Sequence, residues 1–340
     1  MNNNNINYYI LAELRENHKS LYDNEKVYND YVSKQSMMDL AATISELGYN
    51  CSYIGGIPKL IDMFNSGYDC SDCLFINYNY GLPRQFKRGQ SPIILEMMNA
   101  KYSGSDPFVS LLVNDKFCSK RVVEKSEINV PKGILISNKS DIENINEAWA
   151  EFPLVVKPNA EGSSLGIDNK SLCYTHEDVK NKCEELFLAY GSVLIEEYIQ
   201  GYEITVWILG NKNNYELIAP LSISIDDNYY FESKIITMND KANRVRNYSL
   251  SKKLFSSNQY NIIIETSKKI FESLEMRDYG RIDFRFDGTQ LFFIEANALP
   301  IFSKTSEIGQ ISRLYGLSYK DICQKLINVI NARLLVPKAD

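Results

Sequence analysis

Histidine is nearly missing from this chain: there are two in 340 residues, His18 and His176, far apart and isolated. A histidine-built metal centre therefore has almost nothing to draw on, and both residues read as surface positions. Long apolar runs are missing as well. No stretch reaches the ~18 residues that a bilayer-spanning helix needs, so no membrane partner is expected. The start, Met1-Asn2-Asn3-Asn4-Asn5, lacks the basic-then-apolar pattern of an export signal. An excess of positive charge is also lacking. The formal net charge of −6 provides no broad basic field, so no nucleic-acid partner is expected, although a local pocket for one nucleotide would not show in that total. Cysteine is present but unpatterned. Seven scattered residues without an export signal read as reduced thiols in a cytoplasmic protein. Cys70-x-x-Cys73 has the spacing of half a zinc or redox site, but the second ligand pair is missing, so buried or half-buried thiols are the plainer reading.

What is present is an ordinary globular composition, 44% hydrophobic, in a chain long enough for two or three compact units. Strand and helix signals alternate over the first ~110 residues. Tyr8–Ala12, Tyr53-Ile54 and Cys73–Tyr78 read as strands. Met37, Leu40, Ala41, Ile44 and Leu47 recur at helical spacing, with Gly48 where a C-terminal cap is wanted. Pro92 is expected at the first turn of a further helix. This rhythm predicts a small parallel sheet with flanking helices. Further along, helices are expected near 141–150, 176–189, 257–275 and 318–334. Strands are expected at 152–157, 192–198, 203–209, 216–225, 280–286 and 291–297, with a polar loop through about 226–253.

Three blocks carry chemistry. In the first, the apolar strand Phe152–Lys157 delivers a lysine, and Glu161-Gly162-Ser163-Ser164-Leu165-Gly166 follows. Glycines let backbone N–H groups approach phosphate oxygens, serines add donors and the lysine adds a point charge. The pattern is neither a Walker A loop nor Gly-x-Gly-x-x-Gly, and a flexible surface loop stays open as the alternative. The second block, Val193–Ile199 followed by Gly201-Tyr202-Glu203, is an acidic strand end. Its carboxylates suit an adenine edge and ribose hydroxyls, or simply water. The third block, Gly280–Phe286 and Leu291–Asn297 around Asp287-Gly288, is a hairpin. Arg281, Asp283 and Arg285 share one face, and Glu295 and Asn297 share another. A three-residue loop pairing Phe286 with Gln290 would set Arg281 opposite Glu295, whereas a tight two-residue turn would send Asp283 and Glu295 to opposite faces. Convergence of these oxygens suits a hard cation, and therefore requires an odd-length loop or a bulge; an Arg281–Glu295 salt bridge is the structural alternative.

Taken together, the blocks Lys-Pro…Glu-Gly-Ser-Ser-Leu-Gly, Ile-Glu-Glu-Tyr-Ile-x-Gly-x-Glu, Gly-Arg-Ile-Asp and Glu-Ala-Asn-x-x-Pro resemble the ATP-grasp ligases, and most closely the D-alanine–D-alanine ligase branch. The resemblance spans roughly 91–335 and includes Tyr102–Asp106 and Asn114-Asp115-Lys116; it is weak over 1–90. It implies an α/β (α+β) ATP-grasp fold: an N-terminal parallel-sheet domain over 1–110, a lid subdomain with the phosphate loop over 111–205, and a C-terminal subdomain with the metal site over 206–340. It also implies ATP with two Mg²⁺ ions (Mn²⁺ being an alternative), small amino-acid or peptide substrates, and a homodimer. In that scheme Lys116, Lys157 and Lys234 meet phosphates, and the loop from Glu161 and Gly162 to Gly166 closes over them. Ser163 and Ser164 join Arg281, the oxyanion stabiliser, as catalytic groups. Glu196, Glu197 and Ile199 read adenine, and Glu203 the ribose. Asp283, Glu295 and Asn297 hold metal, and Ser306 takes the carboxylate of the second substrate.

The departures fall on the substrate side. Asn7–His18 has no glycine-rich strand end followed by an amino-acid-gathering glutamate, Ile235 stands where an aromatic normally follows the lysine, and Ile301 replaces a glycine. Arg84, Lys87 and Arg88, set among tyrosines, suggest a substrate with an extra carboxylate or phosphate; an exposed basic loop is the alternative. The expected activity is thus a carboxylate–amine ligase acting through an acyl phosphate on substrates other than a D-alanine pair. A D-alanine–D-alanine ligase, and a nucleotide-binding regulator without turnover, are the competing readings.

Overall fold

The computed structural model describes residues 6–18, 31–83, 86–145, 151–243 and 245–335. Its strands form three sheets. The first is parallel, with order β2-β1-β3-β4: β1 (Asn7–Leu11), β2 (Asn50–Gly55), β3 (Cys73–Asn77) and β4 (Lys101–Tyr102). Between them run α1 (Arg15–His18), α2 (Lys34–Glu46), α3 (Ile57–Asn65) and α4 (Lys87–Met97). Helix α2 starts at Ser33, whose side chain accepts the Ser36 N–H; it buries Met37, Leu40, Ala41 and Ile44, and the chain turns away at Gly48 with φ +91°.

One expectation in this part fails. Helix α4 begins at Lys87, so Pro92 lies inside it rather than at its first turn. The first turn is polar and lacks an apolar helical signal. It is anchored by side-chain contacts instead: Gln90 accepts the Leu82 N–H at 2.7 Å, Ser91 donates to Asn77 Oδ1 at 2.9 Å, and Arg88 stacks on Tyr80.

The chain then forms α5 (Pro107–Asn114), α6 (Lys116–Glu124) and the second sheet, which is antiparallel with order β5-β8-β6-β7. Its strands are β5 (Gly133–Ile136), β6 (Leu154–Pro158), β7 (Leu172–Cys173) and β8 (Val193–Glu197). Helices α7 (Lys139–Glu143) and α8 (His176–Tyr190) cover one face through Ile142, Val179, Cys183 and Leu186. The helix expected near 141–150 is therefore short and earlier, and residues 146–150 of that expectation lie outside the described residues.

The third sheet is antiparallel with path β12-β10-β9-β13-β14 and β11 paired to β9. It comprises β9 (Gly201–Asn211), β10 (Asn214–Ile225), β11 (Tyr230–Phe231), β12 (Arg246–Leu250), β13 (Tyr279–Phe286) and β14 (Leu291–Asn297). The helices of this part are α9 (Met238–Ala242), α10 (Ser257–Ser273), α11 (Glu307–Tyr315) and α12 (Tyr319–Leu334). The segment expected as a polar loop through 226–253 thus contains β11, α9 and β12, because Leu250 to Arg246 pair with Leu221 to Ile225 along an otherwise open sheet edge.

This sheet organises the molecule. Ile204, Val206, Ile208, Ile282, Phe284 and Phe286 face α5, α6 and α10. On the opposite face Trp207, Leu209 and Tyr279 join a core shared with the first sheet, α2 and α12. Alternation puts Thr205, Arg281 and Asp283 on that same face. One end of the face is thus buried against the first sheet, and the other, polar end borders a cleft beneath the second sheet.

Candidate functional site

The cleft has two connected parts. A smaller cavity of about 120 Å³ lies between the second and third sheets. Val155, Ile167, Ile199, Ile235, Ile236 and Ile294 give it apolar walls, and Lys157, Glu196, Glu197, Tyr198 and Glu203 give it polar ends. A larger cavity of about 750 Å³ continues toward the first sheet. Five residues line both: Lys241, Arg246, Arg281, Glu295 and Glu307. A flat apolar slot opening through a charged junction into a roomy polar chamber suits one planar ligand and one polar ligand that meet at the junction.

At the closed end, Glu196 is 3% exposed. Its carboxylate accepts from Lys157 and lies 2.7 Å from Lys120. Burial alone would push its pKa up, but the two ammonium groups outweigh burial and hold it below the usual carboxylate range. Burial pulls Lys120 down to about 8, against the opposing pull of Glu196. Glu196 lines the slot, and each of its oxygens has an ammonium partner, Oε1 with Lys157 and Oε2 with Lys120. Glu197 uses its carboxylate to accept the Lys132 N–H at 2.9 Å, and Glu203 pairs with Arg285 at 2.8 Å.

The loop after β6 forms the roof. Ser163 and Ser164 adopt left-handed φ of 51° and 58°, and Ser164 donates to the Ile236 carbonyl at 3.1 Å while Met238 N–H bonds to Ile167. Gly166 has φ +75°, and a Cβ there would lie 2.7 Å from Pro158 and 2.9 Å from Tyr190. Ser164 lines the smaller cavity, and Glu161, Gly162 and Ser163 the larger. Lys116, positioned by the Asp115 cap of α6, donates to the Glu161 carbonyl and lies 3.5 Å from Glu295.

The hairpin meets its requirement by a route other than the three-residue loop. Phe286 pairs with Leu291, and a bulge at Ile294 shifts the register, so that Asp283 opposes Glu295 and Arg281 opposes Asn297. The expected pairing of Arg281 opposite Glu295 is thus displaced by two residues, yet all four side chains reach the cleft face. Arg281 binds Asp283 through two N–H groups at 2.9 and 2.7 Å and lies 3.7 Å from Glu295. Burial works against its charge, but Asp283 and Glu307 hold it firmly protonated. Burial would raise the Glu295 pKa, yet Lys116, Lys241 and Arg281 bring it down to about 2. Asp283 also accepts from Thr205 at 2.6 Å, and Asn297 Oδ1 accepts the Leu299 N–H at 2.9 Å. Two carboxylates and one amide oxygen are hard donors suited to Mg²⁺, provided that phosphate and water complete its shell. Among the described residues no group of three or more His, Cys, Asp or Glu could hold an ion unaided. Cys70 and Cys73 are free and buried, and no described helix is long and apolar enough to cross a membrane.

The remaining expected residues fare differently. The Lys234 side chain is exposed and lines neither cavity, and its backbone bonds Tyr198 and Arg285. Lys241 stands at the junction, where burial and Arg246 push its pKa down while Glu295 and Asp283 pull it up. Sequence reading missed Lys241. The available signal was Thr237-x-x-Asp240, a capping box that starts α9 and brings Lys241 round to the cleft. Lys120 was missed too, although it follows Lys116 by four residues on one helix face. Ser306 lines the larger cavity, but its hydroxyl donates to Ile301 at 2.7 Å and accepts the Ile308 N–H, capping α11. Arg88 lines the larger cavity, Lys87 bonds Glu161 at 3.2 Å, and Arg84 lies outside the described residues.

Comparison with known proteins gives the family and the fold. Residues 123–328 match the family described as D-ala D-ala ligase C-terminus. A D-alanine–D-alanine ligase of Aquifex aeolicus is 30% identical over 239 residues, spanning 70% of this chain and 75% of that protein. One from Thermotoga petrophila is 27% identical, spanning 70% and 74%. Among solved structures, a Bacillus anthracis D-alanine–D-alanine ligase complexed with ATP overlays with a TM-score of 0.71 at 18% identity, covering 96% of this chain and 97% of that one. The VanG D-Ala:D-Ser ligase of Enterococcus faecalis gives 0.70 at 18% identity, covering 96% and 99%. The chain belongs to the D-alanine–D-alanine ligase family and is an ATP-grasp ligase of the C–N bond-forming kind.

Proposed function

We propose that the chain joins a carboxylate to an amine, forming an amide between amino acids or between an amino acid and another amine, with substrates other than a D-alanine pair. The observation that carries this reading is the junction of Lys241, Arg246, Arg281, Glu295 and Glu307 between an apolar slot and a polar chamber. In this reading the slot takes the adenine of ATP, with Glu196 at the amino group, the backbone of Glu197 and Ile199 at the ring edge, and Glu203 at the ribose. Lys116, Lys157 and Lys241 meet the phosphates under the loop of Ser163 and Ser164. Asp283, Glu295 and Asn297 hold Mg²⁺, which disperses phosphate charge when bound. The division into units at about 110 and 205 is part of the same reading.

A carboxylate is a poor electrophile, and capture of the γ-phosphate of ATP by its oxygen makes it a reactive acyl phosphate with release of ADP. Holding the reactants at one junction supplies much of the acceleration. The amine then attacks the carbonyl, the C–O bond to phosphate breaks, and phosphate leaves with the electron pair. Arg281, fixed by Asp283, is positioned to stabilise the oxyanion. The roof over the slot keeps water from the intermediate.

The departure from D-alanine is supported by the chamber. Glu13 is buried at the end of β1, but its carboxylate accepts the Ile57 N–H at 2.6 Å at the start of α3, and it lines neither cavity. A screen of amino-acid pairs with mass detection tests the proposal. The expected result is an amide product with one phosphate released per bond, and efficient formation of D-alanyl-D-alanine alone would overturn the claim about substrate.

A further inference from the structure

Two residues of the junction, Arg246 and Glu307, have no assigned part in the preceding reading. Arg246 opens β12, where it pairs with Ile225 of β10, and Glu307 opens α11 directly after the capping Ser306. Tyr248 joins the two. It follows Arg246 by two residues on β12, so the side chains share a face. Its hydroxyl donates to Glu307 Oε1 at 3.1 Å, and the Arg246 guanidinium lies 5.6 Å from the centre of its ring.

The two arginines of the junction are held differently. Arg281 is bound to Asp283 through two N–H groups at 2.9 and 2.7 Å. Arg246 Nη1 lies 3.6 Å from Glu307 Oε1, outside hydrogen-bond reach, and its Nε is buried with no hydrogen-bond partner among the described residues. A guanidinium stays charged and carries five N–H donors in a planar fork, and a buried donor without an acceptor is costly. Such a group, lining both cavities, is suited to an oxyanion brought in by a ligand. Glu307 lines both cavities as well. Burial would raise its pKa, but Arg281 and Arg246 outweigh burial and keep the carboxylate ionised. Its bond from Tyr248 and its contact with Arg246 both fall on Oε1.

Glu307 decides which anion suits Arg246. A phosphate there would stand beside the Glu307 carboxylate, and the like charges would repel. An α-amino acid carries an ammonium one carbon away from its carboxylate. Laid antiparallel to the pair, it puts carboxylate against Arg246 and ammonium against Glu307, so that every charge faces its opposite. Only one of the two substrates can do this through the reaction, because the donor's carboxylate is converted to the acyl phosphate while the acceptor's is not.

We infer that Arg246 and Glu307 form the acceptor subsite and select an amine whose own carbon bears a free carboxylate. The inference rests on the ligase reading above and narrows its second substrate from amines at large to α-amino acids. Tyr248 is a positioning residue that holds Glu307 in the pair.

The test fixes the donor as the amino acid that gives most hydroxamate with ATP, Mg²⁺ and hydroxylamine, then varies the acceptor. The acceptors are the common α-amino acids in both enantiomers, each set against its α-carboxamide, and amide product is read by mass. Expected is a kcat/KM at least ~10-fold higher for the best free amino acid than for its carboxamide, carried mainly by KM. Arg246→Met is expected to bring that ratio close to unity, and Arg246→Lys to leave it between the two; an ATP-induced rise in Tm in each variant verifies the fold. Parity between amino acid and carboxamide in the parent enzyme overturns the subsite but leaves the ligase reading standing. So does a ratio that survives Arg246→Met, a rise in the KM for ATP without a change in the ratio, or hydroxamate without amide from any free amino acid. Neither hydroxamate nor amide from any donor overturns both.

Discussion

Asp283 faces Glu295 across the β13–β14 ladder because Ile294 is an extra residue in β14. Uninterrupted alternation from Phe286–Leu291 would pair Asp283 with Ile294 and bury Glu295. The bulge instead sends Ile294 and Glu295 to the cleft together, the first as slot wall and the second as junction carboxylate. The proposed metal role then requires both oxygens. Asp283→Asn and Glu295→Gln are each expected to lower kcat by at least ~10²-fold and to raise the Mg²⁺ concentration needed for half-maximal rate. Steady-state assays across Mg²⁺ concentrations check this, and full activity in either variant counts against the assignment.

Lys241 and Lys234 separate a geometric reading from one based on motif position. Lys241→Met is expected to reduce ATP turnover by ~10²-fold or more, since it removes a cation from the junction. Lys234→Met, at an exposed side chain, is expected to stay within a few-fold of the parent enzyme. The reverse ranking would mean that the segment from 231 to 241 repacks when ATP binds.

Glu196 ties α6, β6 and β8 together through Lys120 and Lys157. Glu196→Gln leaves two buried ammonium groups without a carboxylate, and a loss of about 3–5 kcal/mol in unfolding free energy is expected. The sign with pH follows from the lowered pKa in the fold. The contribution of Glu196 is complete above its ordinary value of 4.5 and declines as acid carries the pH down through the lower folded value. Urea unfolding from roughly pH 7 to 3 should therefore give a steeper acid decline for the parent than for the Gln variant. Equal stability of the two at neutral pH would contradict the bridge.

Gly166→Ala tests the roof. Its left-handed φ and the 2.7 Å approach to Pro158 leave no room for a methyl group. The expected result is a several-fold higher KM for ATP with a smaller change in stability, because only the loop must shift. An unchanged KM would remove the loop from ATP binding.

The sequence made the three chemical blocks legible because each is a strand plus an adjoining loop, and strand alternation alone tells which side chains share a face. Lys157, Glu196, Glu203 and Asp283 line the cleft for that reason, and Glu295 joins them through the bulge at Ile294. The register of the hairpin was only half legible. The need for convergence pointed to a loop or bulge, but nothing local distinguishes Ile294 as the inserted residue. Lys241 was hidden in a polar stretch whose structure comes from pairing β12 to a distant edge of β10, a long-range choice without periodic signature. The Arg15 side of the chamber was illegible because it depends on Tyr31 and Tyr80, brought together from separate crossings of the first sheet.

The central claim, that this site activates a carboxylate with ATP for capture by an amine, is tested most directly by phosphate release from ATP with Mg²⁺ and a broad panel of amino acids and short peptides. The account predicts release that depends on a particular pair of substrates, requires Mg²⁺, and is abolished by Asp283→Asn. No release above background with any member of the panel, from protein that binds ATP, would contradict it.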